Sequence, residues 1–359
     1  MIEKYYSGVI EQIYNRIGKE TRNIVMANYS NDFSIENLEV IRRYQSNEDN
    51  VFFAYSEFSY NTLVGAYEPF LDIICNMHRR FIGGSFDDFQ KECGVYYLHR
   101  QVLNSYYETG ECFREETVLL NEVAYEQRRM TMAIADMLKK LSEVKPLMIV
   151  INRFQMASKS SIETIKYLID NPCANIGIVL GVNAIVKGTD STVEVWDRIV
   201  ESLEDRSAIY YIGSAGPLKN NVKTTNDDEL YITMNFEQSI QEASNIMEFL
   251  DFEQARRGCR IIEHKLKFED AWIDEKSLRR FYMVYARTSV LLGEMSKAIE
   301  LTNEYKALIP ENDSEHYLSL YYFMKGTCYM YQGKLEKAGN SAKSAYDYAV
   351  LAEDDTLIF

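Results

Sequence analysis

The first two-thirds of the chain alternate between short apolar runs and segments whose apolar residues recur at helical spacing. The runs are uniformly apolar, which is typical of strands that are buried on both faces of a parallel sheet. The strand candidates are 23–27, 50–57, 146–151, 175–182 and 208–213. The helical candidates include 1–20, 34–45, a stretch beginning near 66, most of 85–142, and 160–168. This alternation predicts an α/β domain built on a parallel sheet.

From about residue 236 the pattern changes to one helix after another, and two segments align without a gap. "YMVYARTSVLLGEMSKAIEL" and "YFMKGTCYMYQGKLEKAGNS" place Gly333 forty residues after Gly293, by subtraction. A weaker copy, "IMEFLDFEQARRGC", has Leu250 in place of the glycine. A glycine at this point lets the chain turn between two paired helices. The spacing predicts helix pairs that repeat along the chain.

The repeat resembles a tetratricopeptide array, although its units are longer than the usual length of about 34 residues. Large, small and small residues recur in the order that such helix pairs use. These are Tyr282, Ala286 and Ala298 in one copy, and Tyr322, Gly326 and Ala338 in the next. Pro310 falls where the second helix of a pair should end. A generic helical bundle is the alternative interpretation.

The resemblance implies a solenoid whose concave side binds peptides or helices. By the geometry of the repeat, the first helix of each pair would line that groove. The predicted groove residues are Arg280, Met283, Arg287, Val290, Leu320, Phe323, Thr327 and Met330. They form a mixed apolar and basic set, which suits an amphipathic or acidic partner segment. Alternatively, Met283, Phe323 and Met330 pack against a neighbouring repeat.

Composition narrows the classes of function. The chain has 359 residues, 47% of them hydrophobic, which is enough for two packed domains. Its net charge of −15 opposes binding to nucleic acid, because such binding depends on cations that face phosphates. We find no signal peptide and no apolar run that could span a membrane, and the dispersed cysteines and histidines lack metal-ligand spacing. These features predict a cytoplasmic protein without a metal site.

The segment 128–168, "RRMTMAIADMLKKLSEVKPLMIVINRFQMASKSSIETIKYL", resembles the nucleotide-binding domain of STAND-class P-loop NTPases, the signal transduction ATPases with numerous domains. That family has a helix, a proline, an apolar strand, two aspartates, a Gln-Trp-Ala-Asp run and a further helix. Gln155 and Ala157 match the run, whereas Met156 and Ser158 depart from it. The resemblance spans about residues 5 to 215, and it implies a P-loop NTPase-like sheet.

The departures from the family fall on the residues that do the chemistry. A working P-loop uses glycines and a lysine to hold phosphates, but the loop after the first strand has neither. Its residues at the vestigial positions are Ala27, Asn28, Asn31, Asp32, Phe33 and Ser34. The pair of metal-binding aspartates is replaced by Asn152 and Arg153, and Ala184 stands where the family often has an arginine. If Tyr29 or Phe33 filled the loop, it could not take an anion.

Together these observations predict three segments: a degenerate NTPase-like α/β domain over 1–215, a connector over 216–236, and an all-α tetratricopeptide-like domain over 237–359. We expect a non-catalytic signalling scaffold or sensor, without cofactor or metal, that binds a protein or peptide through the groove. A homo-oligomer is compatible with this expectation. The apolar residues Leu357, Ile358 and Phe359 lead us to expect a longer protein or an end that a partner covers.

Two other hypotheses remain open at this point. The first is an NTP-binding regulatory switch of the STAND type, with an unorthodox site that borrows a lysine or an arginine from elsewhere. The second is an unrelated fold with a catalytic pocket that no residue spacing reveals.

Overall fold

The computed structural model describes residues 2–29, 38–46, 50–59, 63–112, 121–183, 186–187, 193–206, 208–212, 223–224, 235–268, 273–312 and 314–353. The chain forms two compact units, 1–110 with 127–233, and 111–126 with 234–359. Within 111–126, the structure describes residues 111–112 and 121–126. These residues group with the helical unit, whereas the predicted first domain included all of 1–215.

The first unit contains a parallel sheet of five strands, as the apolar runs predicted. The strands are β1 (Ile24–Tyr29), β2 (Phe52–Glu57), β3 (Leu147–Asn152), β4 (Ile176–Asn183) and β5 (Ile209–Ile212). Their order is β2-β3-β4-β1-β5, which differs from the order of the dinucleotide-binding and flavodoxin-like sheets. Every residue of β3 and β4 is buried, because helices cover both faces of a parallel sheet. The segments 186–187 and 223–224 form a separate short parallel pair.

Eight helices of the described chain lie before residue 205. They are α1 (Ile2–Arg16), α2 (Glu39–Ser46), α3 (Phe70–Met77), α4 (Phe86–Glu92), α5 (Tyr97–Thr109), α6 (Val123–Val144), α7 (Lys159–Asp170) and α8 (Val193–Glu204). A π-helical turn, His78–Ile82, continues α3. Tyr6, Ile10 and Ile13 of α1 are fully buried in the core, together with residues of β1. The apolar face of α1 therefore packs on the sheet.

Six helices make up most of the second unit. They are α9 (Phe236–Glu248), α10 (Phe252–Phe268), α11 (Glu275–Leu291), α12 (Met295–Ala307), α13 (Glu315–Tyr331) and α14 (Leu335–Leu351). Helices α13 and α14 begin forty residues after α11 and α12, by subtraction of these bounds. The predicted repeat is therefore present as two successive helix pairs.

The predicted turn positions adopt the left-handed backbone that a turn between paired helices needs. The φ angles of Gly293 and Gly333 are 77° and 72°, and Leu250, at the corresponding place in the weaker copy, has a φ of 68°. Only glycine reaches this region without strain, so the leucine costs about 1 kcal/mol. Helix α12 ends at Ala307, before Pro310, as predicted. Within the ranges given above, no helix combines the length and hydropathy needed to cross a membrane.

Candidate functional site

The first candidate site is the edge of the sheet where the strands end. Tyr29 ends β1 and is paired in register with Asn183 at the end of β4, and Asn152 ends β3. Asn28, which we predicted to lie in the loop, belongs instead to β1, as does Ala27, which ended the predicted strand and began the predicted loop. The strand continues to Tyr29 because β1 is central and pairs with β4 on one side and β5 on the other. Its carboxyl end is therefore held by two ladders of hydrogen bonds.

A buried hydrogen bond joins the ends of β1 and β3 across β4. The Tyr29 hydroxyl donates to Oδ1 of Asn152 over 2.6 Å, and both residues are fully buried. Gly181 of β4 lies beneath this contact. A Cβ at Gly181 would be 2.8 Å from Asn152 Oδ1 and would overlap the Tyr6 hydroxyl. The contact therefore depends on the missing side chain at Gly181.

Tyr6 of α1 completes the cover over this edge. It is fully buried, and its ring meets that of Tyr29 edge to face, with the centroids 6.4 Å apart. Burial raises the pKa of Tyr6 well above its ordinary value, and Tyr29, Tyr55 and Glu57 raise that pKa further. This environment disfavours a negative charge on the phenol.

Arg153, the residue directly after β3, forms an ion pair with the end of β2. Its Nη1 atom lies 3.1 Å from Glu57 Oε1, and the two side chains are 20% and 16% exposed. Arg153 Nη1 also donates to the Phe58 carbonyl over 3.4 Å, and Tyr55 donates a hydrogen bond to Glu57. Glu57 is in register with Asn152, so the pair joins the neighbouring ends of β2 and β3. The positive charge at this position is thus compensated by Glu57.

The residues of the turn after β3 support the sheet edge. Gln155 Oε1 accepts a hydrogen bond of 3.3 Å from the backbone amide of Asn183, and Ala157 is buried. Gln155 thereby connects the turn after β3 to the end of β4. Ser158 caps α7, because its hydroxyl accepts from the Ser161 amide. These contacts give Gln155 and Ser158 a structural role.

Several predicted site residues cannot be compared with the structure. Asn31, Asp32, Phe33, Ser34 and Ala184 lie outside the described residues, as does most of the predicted connector. Throughout the described ranges, no group of three or more His, Cys, Asp or Glu side chains could hold a metal ion.

Sequence reasoning missed three participants at the sheet edge: Tyr6, Glu57 and Gly181. Tyr6 looked like an ordinary member of an amphipathic helix face, and Gly181 and Glu57 like ordinary strand residues. The one available signal was Gly181, since a glycine inside an apolar strand often marks a close approach by another group.

No family model and no curated protein matches the chain.

The second candidate site is a groove in the helical unit, with a volume of about 460 Å³. Five of the eight predicted groove residues line it: Arg287, Val290, Phe323, Thr327 and Met330. Its remaining lining residues are Leu291, Met324, Gly326, Tyr331, Ala338, Gly339 and Ala342. Small side chains on α13 and α14 thus leave open an apolar space beside Phe323 and Met330.

The groove is less basic than its sequence suggested. Arg287 Nη1 lies 2.9 Å from Oε1 of Glu248, a carboxylate on α9 whose side chain is only 8% exposed. Arg280 is exposed and donates to the side chain of Gln241, also on α9. Arg280, Met283 and Leu320 are not among the lining residues. The expected surface was mixed apolar and basic; in the groove that the structure forms, the lining is mainly apolar, and α9 supplies a carboxylate that compensates Arg287.

Proposed function

We propose that the protein is a non-catalytic signalling scaffold or sensor. Its α/β unit would be a degenerate NTPase-like domain, and its helical unit a tetratricopeptide-like module that binds a segment of another protein. No cofactor takes part in this proposal.

The observation that carries the proposal is the buried hydrogen bond between Tyr29 and Asn152. An NTPase of the resembling class needs a carboxylate at the end of β3 to order magnesium and water. Here the side-chain oxygen of Asn152 already accepts the Tyr29 hydroxyl at 2.6 Å. A metal ion would have to displace a phenol from a site without solvent access. Breaking such a buried contact costs about 1–3 kcal/mol before any ligand binds.

The electrostatics of the edge support the same proposal. The cation of Arg153 stands where the second metal-binding aspartate would be, and Glu57 compensates it at 3.1 Å. The raised pKa of Tyr6 indicates that the cover disfavours added negative charge. A nucleotide would bring several negative charges to this edge. An NTP-binding switch would need an uncompensated cation here, and the arrangement of Arg153 does not favour it.

The first experiment measures phosphate release and the thermal shift of the full chain with Mg-ATP. We expect no turnover above background and no change in Tm. A shift of several degrees that disappears in Ser34→Ala would contradict the proposal and revive the NTP-binding switch.

The binding half of the proposal rests on the groove. Its apolar lining and its volume of about 460 Å³ suit the apolar face of an amphipathic helix, whose large side chains would enter beside Phe323. Because Glu248 compensates the charge of Arg287, the aliphatic part of the Arg287 side chain contributes more to the groove than its charge does.

The second experiment selects helical peptides against the wild-type chain from a displayed library. We expect the selected peptides to carry apolar residues at positions i, i+3, i+4 and i+7. Thr327→Lys, inside the groove, should weaken their binding at least about tenfold, because it buries an unpaired charge. Asn340→Lys, the same charge change at an exposed site on α14, is the matched control. Equal binding to both variants would contradict the assignment of the groove.

A further inference from the structure

Helix α14 carries an exposed apolar stripe on one face. Its members are Leu335, Gly339, Ala342, Tyr346 and Val350, spaced by four, three, four and four residues. That spacing places all five on one side of a helix. Leu335, Tyr346 and Val350 are 71%, 51% and 46% exposed, and the two small residues are also exposed. We call these five residues the outer stripe.

The position that corresponds to Ala342 is buried in the earlier helix pairs of this chain. Forty residues before Ala342, Thr302 of α12 is 2% exposed, and Cys259 of α10, which follows Leu250 at the distance at which Thr302 follows Gly293, is fully buried. Helix α10 packs against α11, and α12 packs against α13. At the level of Ala342, the second helix of each preceding pair is therefore covered. The residues that flank the outer stripe indicate which kind of helix can pack on it.

Two charged residues flank the outer stripe on one edge. Glu336 and Lys343 are seven residues apart, which is close to two full turns, so they share an edge of α14. Both are exposed, and neither forms an ion pair anywhere in the part of the chain that the structure describes. Opposite charges at equivalent edge positions are the device by which antiparallel helices select each other.

A two-fold axis between residues 340 and 341 makes α14 complementary to itself. It sets Leu335 opposite the partner's Tyr346, and Gly339 opposite the partner's Ala342, so that small residues meet where the helices cross. Glu336 then lies within two residues, or about 3 Å along the axis, of the level of the partner's Lys343. By symmetry, each dimer would contain two such ion pairs. In a parallel pair, the edges that carry Glu336 and Lys343 would lie on opposite sides of the contact, so these charges would not meet.

We propose that the protein forms an antiparallel dimer in which the outer stripe of α14 packs on the outer stripe of a second copy. The Glu336 and Lys343 pairs fix the antiparallel direction. Gly339 and Ala342 also line the groove, so the second helix would cover one wall of it. This inference goes beyond the proposed function and does not depend on it. Glu336 and Lys343 lie outside the groove lining, so a failure of the dimer is separable from a failure of groove binding.

The test is sedimentation velocity on the full chain, from low micromolar to several hundred micromolar concentration. We expect the wild type to form a dimer and no larger species. Glu336→Lys and Lys343→Glu each turn both cross-dimer pairs into repulsions and should raise the dissociation constant about tenfold. An equimolar mixture of the two variants should form a heterodimer as tight as the wild-type dimer. The double variant with both changes should recover self-association.

Ala342→Glu provides an independent check at the crossing point. It places a carboxylate against the partner's Gly339 on both sides of the crossing point and should abolish the dimer, while the circular dichroism spectrum stays unchanged because Ala342 is exposed. A wild-type chain that stays monomeric throughout the concentration range overturns the proposal. A mixture of the two single-charge variants that associates no better than either alone also overturns it, since only the antiparallel pairing predicts rescue.

Discussion

The carboxyl edge of the sheet buries and pairs its polar groups, whereas the outer surface of α13 and α14 leaves apolar groups exposed. At the sheet edge, Tyr29 binds Asn152, Arg153 pairs with Glu57, and Tyr6 packs on Tyr29. On the helical unit, apolar side chains such as Leu335 and Tyr346 remain exposed beside an open groove. Among the described residues, the polar groups at the sheet edge are paired and buried, whereas apolar side chains of α14 are exposed to solvent.

The largest expected contrast comes from the same substitution in the two regions. Gly181→Ala places a Cβ against Asn152 Oδ1 and the Tyr6 hydroxyl, and overpacking of this kind costs about 1–3 kcal/mol of unfolding free energy. Gly339→Ala, within α14, meets nothing within 4 Å and should stabilise the helical unit by about 1 kcal/mol. Urea unfolding, at a protein concentration that keeps the chain monomeric, measures the change in unfolding free energy for both variants. Equal changes for the two variants would contradict the contrast between the two regions.

A slightly smaller effect is expected from Tyr29→Phe. The variant removes the hydroxyl and leaves Oδ1 of buried Asn152 without that donor, which should destabilise the first unit by about 1–2 kcal/mol. Asn152→Leu in the Tyr29→Phe background should recover part of the loss, because both polar groups are then gone. A double-mutant cycle with chemical unfolding gives the coupling. Additive losses would mean that the two side chains do not interact.

Arg153 offers a still finer test of the closed edge. Its backbone is left-handed, with φ at 53°, while its side chain is paired with Glu57. Arg153→Ala loses the ion pair and keeps the strain; Arg153→Gly loses the ion pair and relieves the strain. The glycine variant should therefore be more stable than the alanine variant by about 1 kcal/mol. The reverse order in thermal unfolding would show that the turn after β3 is not strained in solution.

The smallest expected effect is a dependence of stability on pH. Burial, and then the charge of Arg79, lower the pKa of His78 below its ordinary value of 6.5. The unfolded chain then binds the proton more readily than the folded chain, so the contribution of His78 is complete above pH 6.5. It is lost as the pH falls from 6.5 through the pKa of the folded state. His78→Phe should flatten this acidic slope, whereas His316→Gln, at an exposed position of the helical unit, should leave it unchanged.

The sequence was a good guide wherever the signal was local. Uniformly apolar runs predicted all five strands of the sheet to within two residues, and the glycine spacing predicted the turns at Gly293 and Gly333. Pairing on both sides extended β1 to Tyr29, beyond the predicted end of its apolar run. No local pattern reports pairing of that kind.

What escaped prediction depends on contacts between distant residues. Tyr29 and Asn152 are separated by 123 positions, and nothing near either one in the sequence indicates their hydrogen bond. Similarly, Glu248 precedes Arg287 by 39 residues and changes the character of the groove. The repeat pointed to five of the residues that line this groove, but not to its charge, because the compensating carboxylate comes from α9.

Isothermal titration of Mg-ATP into the full chain tests the central claim most directly, because it asks whether the sheet edge is closed to a nucleotide. The account predicts no heat beyond that of dilution for the wild type. Saturable binding of one Mg-ATP per chain, weakened by Asn152→Ala, would contradict it.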